Sequence, residues 1–412
     1  MVFAMGLFDF GVSAFKLLCK MQEYKKMRQS SPAKRDGAHL AAEHRRKRPR
    51  MGSESHTLPP PQKTKKGQVS PMKQKMLLFV CALVMIFSQI ACTPADRNIV
   101  ESVSDSSTAS ATDPAEKPHR ENLSTPYFWK VTGNGYDGDF YLLGSIHVGN
   151  QYTNLYPDEI INAFKECEHL AVESDIVALE KNFDMQIEMT RILMYADGSS
   201  ITSHINPDLY AAARKIIEDG GQYNQAFDKL RPVYWMSMIE NIYLTETDYT
   251  ANYGVDRYFL NAAHLKKKTI LEIEDPMDTY QALVDLSPKT QEYLLSQCIQ
   301  PGYPEEYAAS INLLYPLWKK GDITGYEHLL CGTSTEGMTD MTEEEIAIYE
   351  EYNDMMLTTR NAGMVDAAID YMESDMDVFY IVGLAHMFGD DGLVHALTEA
   401  GYTVTRVQYD LD

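Results

Sequence analysis

Two short segments far apart in the chain share one grammar: an apolar β-like run followed by Gly-x-x-His. The first is Phe140-Tyr141-Leu142-Leu143-Gly144-Ser145-Ile146-His147, and the second is Val378-Phe379-Tyr380-Ile381-Val382-Gly383-Leu384-Ala385-His386. A run of aromatic and β-branched residues bounded by Gly reads as a buried strand. Each imidazole then stands just beyond a strand's C-terminal end, where the Gly allows a sharp turn. In open α/β sheets, ligands bind along that edge. Two histidines delivered there by the same device predict one shared site.

The remaining pattern predicts an α/β fold: a mixed, largely parallel β-sheet flanked by helices, with an α-helical insertion between strands. Residues 127–132 and 139–146 alternate around a Gly- and Asn-rich turn, the signature of a β-hairpin. That turn also spells G-x-G-x-x-G, but a strand follows it rather than a helix, which excludes a dinucleotide site there. A helix over 157–166 leads to a short strand at 169–172 that ends at Glu173. The helical insertion covers 177–263, and a strand at 269–271 ends at Glu272. Further helices span roughly 279–318 and 342–373, and a strand–helix–strand unit closes the chain over 378–407.

Charge divides the chain. Residues 1–75 carry 17 Lys and Arg against 5 Asp and Glu, and the remainder carries 20 against 54. A body this acidic excludes nucleic acid as a partner, because phosphate contacts need clustered Lys and Arg. Solubility is the plain reading of that acidity. The strictly apolar run at 76–87 has 12 residues, too short to span a bilayer comfortably but suited to a signal h-region. Lys73 and Lys75 precede it, and Ala91-Cys92 follows. Residues 72–92 therefore resemble a bacterial lipoprotein signal peptide in which Cys92 is lipidated. An uncleaved membrane anchor is the alternative. Residues 1–71, with the basic run Arg45-Arg46-Lys47-Arg48-Pro49-Arg50, read as an upstream extension, disordered or outside the true start at Met72. Residues 93–125 are polar and read as a tether, leaving 126–412 as the folded domain. The expected location is the extracytoplasmic face of a membrane, reached through an N-terminal lipid anchor. Beyond Cys92, the exported part holds only Cys167, Cys298 and Cys331, too few for a disulfide framework.

If the four strands that end in His147, Glu173, Glu272 and His386 are parallel neighbours, those side chains line one edge. Two neutral imidazoles and one or two carboxylates suit a divalent metal; a metal-free acid–base site and a structural role are the other readings. Arg231 and Arg360 could clamp a substrate carboxylate or an oxyanion, or form structural ion pairs. Asp175 reads as a helix cap. His169, His204, His264, His328 and His395 lack the Gly-x-x-His context and read as structural or exposed.

These residues bring a family into view. The stretch from Tyr127 to Val407 resembles the TraB/PrgY/GumN family, which also includes the Tiki-type membrane-associated proteases. The resemblance runs through Leu142 to Gly149, Leu170-Ala171-Val172-Glu173-Ser174-Asp175, Arg231-Pro232, Gly254-Val255-Asp256, Leu271-Glu272, Arg360-Asn361, Val382 to His386, Gly392-Leu393 and Gly401-Tyr402. It implies a metal-dependent peptidase without an H-E-x-x-H helix. His147, His386 and Glu173 would hold a divalent ion (Zn, Mn or Co), with Glu173 or Glu272 handling the proton. Arg360 would assist catalysis and Arg231 would bind a peptide or protein substrate. The alternatives are a metal-free esterase-like hydrolase and a non-catalytic surface protein that binds a peptide signal or haem.

Overall fold

The computed structural model describes residues 122–325 and 342–411. The upstream extension, the signal segment with Cys92, most of the tether, His328 and Cys331 lie outside these residues. Among the described residues, no helix is long and apolar enough to cross a membrane.

The hairpin forms as β1 (Phe128–Gly133) and β2 (Tyr136–Ser145). Its tight turn is Asn134-Gly135, both at positive φ (56° and 84°), the conformation that Asn-Gly pairs favour in two-residue hairpin loops. The remaining strands are β3 (His169–Val172), β4 (Thr269–Glu272), β5 (Val378–Gly383) and β6 (Thr403–Arg406). Their order in the single six-stranded sheet is β4-β3-β5-β2-β1-β6. The first four are mutually parallel, whereas β1 runs antiparallel to both β2 and β6. The β5–helix–β6 unit therefore passes over two strands before pairing. Because β1 is reversed, its first residue, Phe128, pairs with Leu143 near the C-terminal end of β2, and Arg406 of β6 pairs with Trp129.

Strand β5 lies between β3 and β2, and all six of its residues are buried, as a near-continuous apolar run demands in a sheet covered on both faces. Phe379 packs against the rings of Phe128, Phe164 and Phe259, with centroids 5.0–5.8 Å apart. Phe164 comes from α1 (Asp158–Glu166). Between β3 and β4 the chain builds α2 (Ile176–Leu179), α3 (Phe183–Leu193), α4 (Pro207–Asp219), α5 (Pro232–Thr245) and α6 (Val255–Lys266). This is the helical insertion. After β4 come α7 (Pro276–Asp285), α8 (Pro288–Cys298) and α9 (Tyr303–Lys320). Then follow α10 (Glu343–Asn353), a π-helical turn at Asp354–Thr358, α11 (Thr359–Glu373) and, after β5, α12 (Leu393–Glu399).

Helix α5 is apolar around most of its circumference and is buried from Pro232 to Leu244, which makes it the central rod of the helical layer. It carries one charge-capable side chain into that layer, Glu240, which has no exposed surface. The Tyr303 hydroxyl donates to Glu240 Oε1 at 2.6 Å and Cys298 Sγ approaches it at 3.7 Å. Among the described residues, no donor reaches Oε2. Burial therefore holds this carboxyl protonated, far above the usual carboxylate range.

The sign of the resulting linkage is fixed. A carboxyl with a raised folded pKa leaves the native state most favoured below the unfolded value of about 4.3. Above that pH, stability falls by at most about 1.4 kcal/mol per pH unit, until the folded pKa is reached. Glu240→Gln keeps the acceptor for Tyr303 and removes the titration. In urea unfolding, the variant should gain stability over the parent as pH rises from 5 to 8. Parallel curves for the two proteins would refute this.

Candidate active site

The parallel ladder brings together strand ends that are remote in sequence. Ser145 pairs with Gly383 and Val172 pairs with Ile381, and neighbouring strands lie about 4.8 Å apart. His147 follows β2, His386 follows β5 and Glu173 follows β3, so the three emerge side by side. All are buried, at 6%, 4% and 7% exposure respectively.

Each imidazole is held through Nδ1. His147 Nδ1 lies 2.6 Å from Asp256 Oδ2 in the first turn of α6. The start of α6 is locked to the same loop, because the Val255 N–H donates to the Ile146 carbonyl at 3.0 Å. This contact explains Gly254: a Cβ there would run into the His147 carbonyl oxygen. His386 sits in a 3₁₀ turn, Leu384–Met387, and its Nδ1 donates to Asn361 Oδ1 at 2.6 Å. An amide oxygen can only accept, so the proton is on Nδ1 and the lone pair is on Nε2. Burial, with the nearby charges of Arg360 and His147, holds the His386 pKa well below its usual value and keeps the ring neutral.

The carboxylate beside these rings belongs to a buried ionic cluster. Arg360 Nη2 donates to Glu173 Oε2 at 2.7 Å, while Nε and Nη2 grip the two oxygens of Glu274 at 2.7 and 2.5 Å. The Gly383 N–H donates to the other oxygen of Glu173 at 2.7 Å. Burial raises the pKa of Glu173, and the charges of Arg360 and His147 pull it part of the way back. The result is a buried carboxyl with a raised pKa, aimed by one Arg and one backbone amide.

Of the residues singled out from sequence, His147, His386, Glu173 and Arg360 meet here. Glu272 does not: its side chain is exposed and accepts the Asp175 N–H at 2.9 Å. Glu274 stands on Arg360 instead. The ladder runs two residues past β4, with Ile273 N–H donating to the Val172 carbonyl and Glu274 N–H to that of Glu173, so the carboxylate that turns inward comes later than the strand end read from sequence. Arg231 starts α5, with its guanidinium over the Tyr195 ring at 5.1 Å. Among the described residues, no contact joins it to the cluster. Asp175 caps α2 by accepting the Ala178 N–H at 2.9 Å, and also pairs with His264. Asp256, Asn361 and Glu274 were not assigned roles from sequence. The first two belong to Gly254-Val255-Asp256 and Arg360-Asn361, motifs that already stood out there.

The donor set suits a divalent ion in part. Both imidazoles are anchored at Nδ1, as metal-binding histidines usually are. Each oxygen of Glu173 already accepts one hydrogen bond, from Arg360 and from the Gly383 N–H, which leaves one lone pair on each. Among the described residues, no three His, Cys, Asp or Glu side chains converge as a metal cluster. Beside the cluster, a cavity of about 580 Å³ has Glu274 and Arg360 in its wall.

Fold and site together define an α/β protein with a paired-histidine edge and an Arg-held carboxylate. Residues 127–406 match the TraB/PrgY/gumN family, and the chain belongs to it. No curated protein and no solved structure matches the chain.

Arg360 balances two buried carboxylates, so Arg360→Met should cost about 3–5 kcal/mol in urea unfolding at pH 8. The cost should shrink at pH 5, where protonation of Glu173 relieves the uncompensated charge. An equal loss at both pH values would contradict the cluster.

Proposed function

We propose that the chain is a hydrolase of peptide bonds working from the edge formed by His147, His386 and Glu173. It would act on the extracytoplasmic face of a membrane, tethered through Cys92. The observation that carries this reading is the pair of Nδ1-anchored imidazoles on adjacent strand ends beside a buried carboxyl of raised pKa. In this reading His147 and His386 hold a divalent ion (Zn, Mn or Co), which when bound would polarise a carbonyl and acidify a water. Asp256 fixes the orientation of His147 and strengthens its basicity, and Asn361 does the orienting for His386. Glu173, held between Arg360 and the Gly383 amide, takes a proton from the attacking water and passes it to the leaving amine.

A metal-free hydrolase is the second reading, and one observation favours it. Each oxygen of Glu173 already accepts a hydrogen bond, while the 2.6 Å His147–Asp256 pair is the arrangement by which a carboxylate supports an imidazole base.

One experiment separates the two readings. Purified protein is assayed on a fluorescence-quenched peptide pool, before and after chelation and with Zn, Mn or Co restored, alongside metal analysis. Activity should fall with chelation, and by about 100-fold or more in His147→Ala and His386→Ala, with bound metal lost in parallel. Activity that survives chelation in metal-free protein selects the second reading. No turnover under any condition rejects both.

A further inference from the structure

Helix α7 begins just after Glu274 and turns one acidic stripe toward the cavity beside the site. Asp275, Asp278 and Asp285 line it from α7, Glu351 faces them from α10, and Glu274 with Arg360 forms the wall shared with the site. Five carboxylates thus face a single base, and that base is already committed to Glu173 and Glu274. The cavity is not merely charged. Ile273, Ala282, Leu286 and Met355 give it an apolar lining, and about 580 Å³ is the size of an ordinary small-ligand pocket.

Several of these acids have local duties. Asp275 caps α7 through the Met277 N–H, and Glu351 accepts from Ser287 and Thr290. Asp285 accepts from Gln281 Nε2 at 2.8 Å on the same helix, whereas Asp278 has no such bond; both are exposed, and neither forms an ion pair with a described residue. They lie seven positions apart, two turns along one helix face. Opposite them, the helix from α10 to α11 contains the π-helical turn Asp354–Thr358, and Met355 of that turn lines the cavity together with Thr359 and Arg360. Single π turns inside α-helices recur at functional sites.

We propose that this cavity receives a basic side chain, Lys or Arg, of the peptide that occupies the neighbouring site. The apolar lining takes the alkyl stem, and Asp278 and Asp285 meet the charged head, the division of labour that long cationic side chains favour. Charge complementarity selects this occupant: an acidic side chain would face four uncompensated carboxylates, and a neutral one would leave them unused. The inference rests on the hydrolase reading for its substrate, so its test reads binding and not turnover.

The probe is a fluorescein-labelled hexapeptide, Ala-Leu-Lys-Leu-Lys-Ala amide, with norleucine and Glu versions in place of Lys, measured by fluorescence anisotropy at low and moderate salt. The Lys version should bind most tightly and the Glu version most weakly. Asp278→Asn with Asp285→Asn should weaken the Lys version about fivefold while leaving the norleucine version unchanged. Asp366→Asn with Asp370→Asn, exposed acids outside the cavity lining, controls for the protein's overall negative field and should have no comparable effect. A Cβ on Gly363 points into open space beside the cavity, so Gly363→Leu should obstruct both versions without disturbing the fold. Equal affinity for the three peptides overturns the proposal, as does a Lys preference that survives the Asp278 and Asp285 changes or is lost equally in the control. Lys-selective binding without hydrolysis would reject the hydrolase reading alone, and hydrolysis without Lys preference would reject the basic pocket alone.

Discussion

The guanidinium of Arg360 answers a problem created by the sheet itself. Parallel pairing of β3 with β4 sets Glu173 and Glu274 close together at one buried edge, where like charges repel and water is scarce. Each buried ion costs several kcal/mol unless it is paired and hydrogen-bonded. A planar fork that grips two carboxylates at once meets that demand, and a Lys could not do so in the same geometry. The requirement settles where α11 lies. With Arg360 over the ends of β3 and β4, the next residue, Asn361, is brought to His386 in the turn after β5. One helical turn thus aims both the carboxylate and one of the two imidazoles. The other imidazole is aimed by the start of α6, whose close approach depends on the missing side chain at Gly254.

Much of this was legible in the letters. Strands ending in Gly-x-x-His announce themselves because a buried parallel strand needs an unbroken apolar run; the glycines do not make the sharp turn expected of them, since neither Gly144 nor Gly383 has a positive φ, and Gly144 instead leaves room for the Leu384 side chain. The same runs, each too apolar for an exposed edge except the short β4, mark these strands as interior ones, but their order β4-β3-β5-β2 comes from the structure alone. The partners of the site were harder to read. Asp256, Asn361 and Glu274 act through distances set by tertiary packing, and no periodicity reports which carboxylate faces inward. Glu272 and Glu274 show this most plainly. They share the alternation of an extended chain, yet the continued ladder sends only the second onto Arg360. Arg231 has the same origin: a cation that opens a helix looks the same in sequence whether it meets a ligand or a tyrosine ring.

The helical layer repeats the lesson in another form. Helix α5 reads as apolar, and so it is buried, but Glu240 in its middle would be called surface by any count of charge. Tyr303 and Cys298 make it tolerable as a neutral acid. A chain with so many carboxylates thus keeps at least one of them neutral deep in its interior.

The reversal of β1 has a directional consequence. Because β1 starts and β6 finishes beside the C-terminal end of β2, the backbone both enters and leaves the body on the flank that carries His147 and His386. Val407 returns to Phe128, and the Tyr409 hydroxyl reaches the Pro126 carbonyl, pinning the two ends together there. Anything that restrains the chain just upstream of Phe128 therefore pulls on the flank that carries His147 and His386 and not on its opposite. A short restraint at that point would hold the edge carrying the two histidines nearer to its origin than the opposite edge of the sheet.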